Sequence, residues 1–289
     1  MGQMFPLSDQ HVYNSLAINP AFAGSQDALC ASILYRNQSI GIKDAPKTEF
    51  LSVQAPVLNN RIGLGLMVEN NTIGIFRETG VYGNYAHRIE LYNGKLSLGL
   101  AFGASVYSTA WNNLAATTSD DPLLVNNSSK AFVLPNFSVG AYYYTQKYFV
   151  GISLPMLLSQ DLDHNTGTFK MTNRLSGYNY FLTGGYCLDL KPQFKLLPSL
   201  LVKYVPYHVP QVDYNTQIVF KDLVWLGIGY RSSNTFIGML QCQINNQLRV
   251  SYSYDFYLGQ IGKYVNGSHE IFLSYVFSYV HEAKGPRQF

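Results

Sequence analysis

Hydrophobic positions along the chain recur at every second residue. From Leu96 to Val106 the apolar residues Leu96, Leu98, Leu100, Phe102, Ala104 and Val106 alternate with Ser97, Gly99, Ala101, Gly103 and Ser105. A period of two puts the two sets on opposite faces of an extended strand, one oily and one small or polar. Ile62, Leu64, Leu66 and Val68 alternate in the same way with Arg61, Gly63, Gly65, Met67 and Glu69. Leu248, Val250, Tyr252, Tyr254 and Phe256 alternate with Arg249, Ser251, Ser253 and Asp255, and Ile271, Leu273, Tyr275 and Phe277 oppose residues that include Glu270 and Ser274. No heptad or long amphipathic helix competes with this pattern.

These segments pair into hairpins: 28–40 with 46–57, 61–69 with 78–89, 95–107 with 132–144, 148–155 with 177–188, 195–204 with 212–220, 223–230 with 235–243, and 247–257 with 268–280. The expected fold is all-β, a transmembrane antiparallel up-and-down β-barrel of about 14 strands. Such patterns set strand ends only to within about two to four residues, so about twelve or about sixteen strands also fit. An even number keeps both ends of the barrel on one rim, expected to be periplasmic.

Connection lengths support a barrel over a soluble sandwich. Joints between hairpins are short, as at Leu58-Asn59-Asn60, Leu91–Gly94, Thr145–Lys147, Lys221-Asp222 and Ile244–Asn246, and Asn-Asn and Asn-Gly suit tight turns because these residues tolerate positive φ. The stretches 108–131 and 156–176 are long and rich in Asn, Ser, Thr and Asp. Short turns on one rim and long loops on the other mark outer-membrane barrels. Tyr142–Tyr144 with Tyr148 and Phe149, and Tyr178, Tyr180 and Phe181, are candidates for the aromatic girdles at the headgroups.

Composition narrows the choice further. Hydrophobic residues make up 47% and charged residues 13%, with 23 Tyr and 17 Phe, whereas soluble domains carry roughly 25% charge. No stretch reaches the ~18 to 20 apolar residues of a spanning helix. In hydrocarbon, unpaired backbone amides cost several kcal/mol each, and without helices only a closed sheet avoids them. The net charge is +3 with basic residues scattered singly, which argues against nucleic acid as a partner. Cys30, Cys187 and Cys242 have no disulfide or zinc spacing, and His11, His87, His164, His208, His269 and His281 form no ligand motif. Neither a GxSxG elbow nor a nucleotide-binding loop occurs, so no catalytic residue, cofactor or metal is expected. The Met1–Pro6 start lacks the regions of a signal peptide, as expected if the chain begins near a processing site.

The opening stretch Asn14-Ser15-Leu16-Ala17-Ile18-Asn19-Pro20-Ala21-Phe22-Ala23-Gly24 resembles the start of the PorP/SprF family of type IX secretion outer-membrane proteins. Tyr35-Arg36, Ala45–Thr48, Gly63–Leu66 with Asn70–Gly74, Tyr82-Gly83-Asn84-Tyr85-Ala86 and Gly267-Ser268-His269-Glu270-Ile271 follow in that family's order. The sequence departs where Ser15 stands for the family's usual Pro and Ser274 for Gly, and in the extra residues 278–289. The resemblance implies an outer-membrane component of a gliding and secretion apparatus. Its partners would be other type IX secretion components, outer-membrane lipid and a large secreted adhesin with a type B C-terminal sorting signal, helped in export or surface retention.

Three regions follow: 1–26, a periplasmic or lumen-plugging segment; 27–280, the barrel; and 281–289, a C-terminal tail. In the first, Asn14, Ile18, Asn19, Pro20, Ala21, Phe22 and Gly24 form the plug motif. Arg36, Arg61, Glu69, Arg249, Asp255 and Glu270 fall on the inner face and are expected to pair across the lumen, because buried charges need partners. Loops 108–131 and 156–176 are the expected partner-facing surface. A plugged channel for hydrophobic small molecules is the alternative function.

Overall fold

The computed structural model describes residues 8–109, 131–158, 160–163, 168–171 and 177–277. Its strands are β1 (Leu29–Asn37), β2 (Lys47–Val57), β3 (Ile62–Ile73), β4 (Phe76–Leu91), β5 (Gly94–Thr109), β6 (Ala131–Tyr144), β7 (Tyr148–Leu154), β8 (Gln160–Asp163) and β9 (Thr168–Met171). They continue with β10 (Tyr180–Tyr186), β11 (Leu188–Lys191), β12 (Phe194–Tyr204), β13 (Gln211–Phe220), β14 (Val224–Arg231), β15 (Thr235–Gln243), β16 (Leu248–Tyr257) and β17 (Ser268–Phe277). Apart from the small β8–β9 pair, every strand joins one antiparallel sheet. Pairing of β1 with β17 and of β10 with both β7 and β12 closes it into a ring. Strand β11 keeps the register of β10 against β12, Gly185 facing Ser199 and Leu188 facing Leu196. The two are one wall strand interrupted at Cys187, whose N–H bonds the Lys147 carbonyl instead. The barrel therefore has 14 strands with one extra strand segment.

Closure satisfies the ladder all the way round, and the period-two pattern sorts the side chains. Ile33, Leu51, Leu64, Leu66, Leu98, Leu100, Phe102, Ile152, Leu226, Ile228, Leu240 and Ile271 point outward and are exposed, the state expected of residues facing lipid. Ser32, Ser52, Gln54, Asn84, Ser97, Ser138, Asn215, Ser251 and Ser253 point inward and are buried. Turns 58–61, 92–93, 145–147, 192–193, 221–223 and 244–247 form one rim, and the opposite rim carries 38–46, 205–210 and 258–267. Leu58, Asn59, Asn60, Lys221 and Asp222 all have positive φ.

Several details differ from the sequence expectation. Strands β3 and β4 extend to a tight turn at Gly74 (φ 60°), where the pattern placed a loop over 70–77. Asn70 supplies the reason, donating to Glu49 at 3.0 Å and accepting from Thr79 at 2.9 Å across the outer face of the ladder. At the Asn93-Gly94 turn the positive φ falls on Tyr92 (51°), which is almost fully exposed. The tyrosine run expected as a girdle splits between faces: Tyr142 and Tyr144 point inward with Phe149, while Tyr143 packs on Tyr148 and Tyr148 stacks on Tyr186. Strand alternation forces that split. Phe181 likewise turns inward, against Ile18 and Leu201. The tail 281–289 lies outside the described residues, as do 110–130 and most of 159–176.

Residues 8–28 precede β1 and run inside the ring. Two short 3-10 turns, Ser15–Ala17 and Pro20–Phe22, give the segment its regular structure. Strand β1 starts at the short-turn rim, whereas Ser8 bonds Glu270 near the long-loop end of the wall.

Candidate functional site

The lumen and the segment it holds form the site. Near the long-loop rim, side chains from four strands converge on Asp9. Arg36 on β1 pairs with both Asp9 and Asp255, and its Nη1 donates to Glu270 at 2.8 Å. Arg231 on β14 donates to Asp9 and to Asp213, each at 2.9 Å, and lies 3.6 Å from Asp255. Ser253 donates to Asp9 at 3.1 Å. Glu270 on β17 accepts from the Ser8 hydroxyl and from the backbone N–H groups of Asp9 and Gln10. The carboxylates of Asp9, Asp213, Asp255 and Glu270 thus surround two guanidiniums, all within a buried layer.

Burial by itself raises a carboxyl pKa, but at Asp9 the two guanidiniums outweigh it and hold the group below the usual carboxylate range. His11 follows. Burial pushes its pKa down to about 4, opposed by Asp213 and Asp9 and reinforced by Arg231. The imidazole is therefore neutral at pH 7.

Further in, Tyr13 donates to Gln217 at 2.5 Å and packs among Leu34, Phe50, Met67, Tyr82 and Phe272. The Arg249 guanidinium lies between two aromatic rings, 5.6 Å from Tyr13 and 4.7 Å from Trp225. Ser15 donates to the carbonyls of His11 and Val12, bonds that the family's usual proline lacks the hydroxyl to make. A cavity of about 40 Å³ remains between residues 16–20 and the wall, room for a few waters.

The chain then descends along the wall of β3 to β7, where side chains bind its carbonyls at three-residue intervals. Ser153 donates to Ile18 O, Ser97 to Ala21 O and Arg88 to Gly24 O, each at 2.6 Å. The Gly24 N–H donates to Gln54 at 3.0 Å. Asn19 accepts from the Ala21 N–H, capping the second 3-10 turn, and donates to Ala141 O. Wall glycines make the close approach possible. A Cβ on Gly63 would stand 1.8 Å from Ala23 O, one on Gly99 2.0 Å from Ala21 N, and one on Gly140 2.1 Å from Asn19 Oδ1. Phe22 enters a pocket of Tyr142, Tyr144 and Phe149, meeting Tyr142 edge-on at 5.5 Å. At the short-turn rim Asp27 pairs with Arg88 at 2.8 Å and Lys95 at 3.6 Å.

The expected charge network is brought together only in part. Arg36, Asp255 and Glu270 meet. Arg249 is inward but bound to aromatics and to Gln243. Glu69 is inward beside Glu78 and Tyr82, away from the arginines. Arg61 is a correction: it is exposed in the 58–61 turn, because the left-handed residues Leu58 to Asn60 delay β3 until Ile62. Asn14, Ile18, Asn19, Pro20, Ala21, Phe22 and Gly24 are all buried within the lumen. The pattern missed Asp9, Asp213, Arg231 and Arg88. The last three have inward parity on their strands and were readable from it, whereas Asp9 precedes any strand and carried no signal. Among the described residues no group of three or more His, Cys, Asp or Glu is arranged for a metal.

Inward residues from several of the stretches that carry the family resemblance line the lumen: the 14–24 segment, Arg36, Tyr82, Asn84, Ala86 and Glu270. A family model described as type IX secretion system membrane protein PorP/SprF matches residues 2–275. The chain belongs to that family. As a PorP/SprF barrel it is an integral outer-membrane protein of a secretion system, whose other components are its partners in kind. No curated protein matches the chain. Among solved structures it resembles the CymD monoaromatic hydrocarbon channel, with TM-score 0.55 and 13% identity over 97% of this chain and 96% of that one. It also resembles the Ralstonia pickettii toluene transporter TbuX, with TM-score 0.51 and 9% identity over 90% and 92%. The Acinetobacter baumannii outer membrane protein Omp33 gives 0.51 and 7% over 88% and 100%. Identities this low speak to the barrel fold alone.

Proposed function

We propose that this PorP/SprF barrel is a non-enzymatic docking component, with its N-terminal segment as a plug, that helps export a large adhesin with a type B C-terminal signal or retain it at the cell surface. The long-loop rim faces outward and the short-turn rim faces the periplasm. The observation that carries this reading is the occupied lumen of a secretion-family barrel. A bore crossed by a segment with buried ion pairs at one end and backbone bonds at the other suits a protein that works through its surfaces better than one that passes solutes. Loops 108–131 and 156–176, whose middles lie outside the described residues, carry partner recognition in this proposal.

The likeness to hydrocarbon and toluene channels favours a second reading, passage of small hydrophobic molecules. Deleting the gene separates the two. On the docking reading, a large surface adhesin is stranded in the periplasm or shed into the medium, as surface immunolabelling and blots of the medium show. Unchanged adhesin display together with lost uptake of a hydrophobic solute would overturn docking in favour of the channel.

A further inference from the structure

The wall of β3 to β7 binds the main chain of residues 18–24 at regular intervals. Ser153, Ser97 and Arg88 take the carbonyls of residues 18, 21 and 24. Gly140, Gly99 and Gly63 clear room for residues 19, 21 and 23. Two side-chain pockets four residues apart complete the pattern: Phe181 and Leu201 hold Ile18, and Tyr142, Tyr144 and Phe149 hold Phe22. Side-chain donors to carbonyls at fixed spacing, glycines beneath the chain and two apolar pockets make a receptor for an irregular polypeptide, since outside the pockets and the Asn19 amide, which donates to Ala141 O, the contacts read the backbone rather than its side chains. Two further observations mark the receptor as more than a glued joint. Arg88 is buried yet its Nε and Nη2 have no hydrogen-bond partner among the described residues, spare donors for a carbonyl or carboxylate. The cavity beside residues 16–20 leaves slack along one side of the bound chain.

We propose that this inner wall is a polypeptide-binding site which residues 18–24 occupy in cis as an exchangeable resident. A partner polypeptide with an apolar residue, an aromatic four positions on and small residues flanking that aromatic takes the same site when the segment withdraws. The occupant is a turn-containing chain like the resident, whose 3-10 turn at residues 20–22 suits carbonyl contacts three residues apart, whereas a strand repeats every two residues and an α-helix every 3.6. Covalent attachment gives the resident an effective concentration in roughly the millimolar range, so a partner displaces it only when the segment is released or the partner is itself tethered nearby.

A protease site inserted between Gln26 and Asp27, at the short-turn rim, tests this without asking the barrel to fold unplugged. The purified, detergent-extracted barrel is cleaved, and a fluorescent synthetic peptide of residues 8–26 is added. The expected result is that the cleaved segment stays with the barrel through size exclusion and is replaced by the labelled peptide in a saturable, one-to-one manner. A Phe22→Ala peptide should bind at least roughly 100-fold more weakly, the lower end of what emptying an aromatic pocket costs, and a scrambled peptide should not bind. Failure of the labelled peptide to enter over days, or equal binding of the scrambled peptide, overturns the proposal. Loss of the segment on cleavage with no rebinding overturns it as well. Heat-modifiable migration on a gel reports the folded barrel in every arm.

Discussion

Gly99→Ala isolates the contact between the segment and the wall. The new Cβ would lie 2.0 Å from Ala21 N and 2.4 Å from Ala21 Cα, while ordinary contact begins at 3.4 Å, so one side must give by about 1.4 Å. The wall is held on both flanks by ladder pairs, Gly99 with Ala86 and with Gly140, so the segment is the part that moves. Lengthening the 2.6 Å bond from Ser97 to Ala21 O by that amount breaks it, and the overpacking adds a cost of about 1–3 kcal/mol. Together these amount to a penalty of a few kcal/mol that falls on residues 18–24 and spares the barrel. Hydrogen-exchange mass spectrometry in detergent should show faster exchange in peptides covering 15–25, with wall peptides unchanged. Gly238→Ala is the control, because its Cβ would meet nothing within 4 Å among the described residues. Wild-type protection of 15–25 in the Gly99→Ala protein would refute the claim that the segment is seated on the wall glycines.

Replacing Arg36 with Leu leaves Asp9, Asp255 and Glu270 buried around a lost cation and should cost about 3–5 kcal/mol, read as a lower denaturant midpoint in micelles. Arg61→Ala, at an exposed turn, should leave that midpoint where it was. Acidification should loosen the segment through His11. Its folded pKa of about 4 lies below the ordinary value of 6.5, so the unfolded form binds the extra proton and stability falls as pH drops from about 6.5 towards 4. That gap corresponds to roughly 3 kcal/mol. His11→Asn should flatten the pH dependence of exchange in peptides 8–15, and an unchanged slope in that variant would assign the effect to other groups.

Residue order alone determined the wall. A period of two is a local property, and in lipid it admits one solution, so a closed antiparallel wall, its hairpin pairing and the outward set of Leu, Ile and Phe follow from it, while the pairings that close the ring fix the strand number. Strand parity also sorts the charges by face: Arg36, Glu69, Arg249, Asp255 and Glu270 share the inward parity and lie buried in the lumen, whereas Arg61 sits where a turn shifts the strand start by one residue. Parity does not say which inward charges meet. Arg36 finds Asp255 and Glu270 while Glu69 and Arg249 find other company, because the meeting depends on how the sheet curls and on what crosses its bore. The path of residues 8–28 belonged wholly to the tertiary level. Its contacts reach strands far along the chain, from Gln54 to Glu270, and no periodicity encodes which glycines lie beneath which carbonyls; closing the ring decided that.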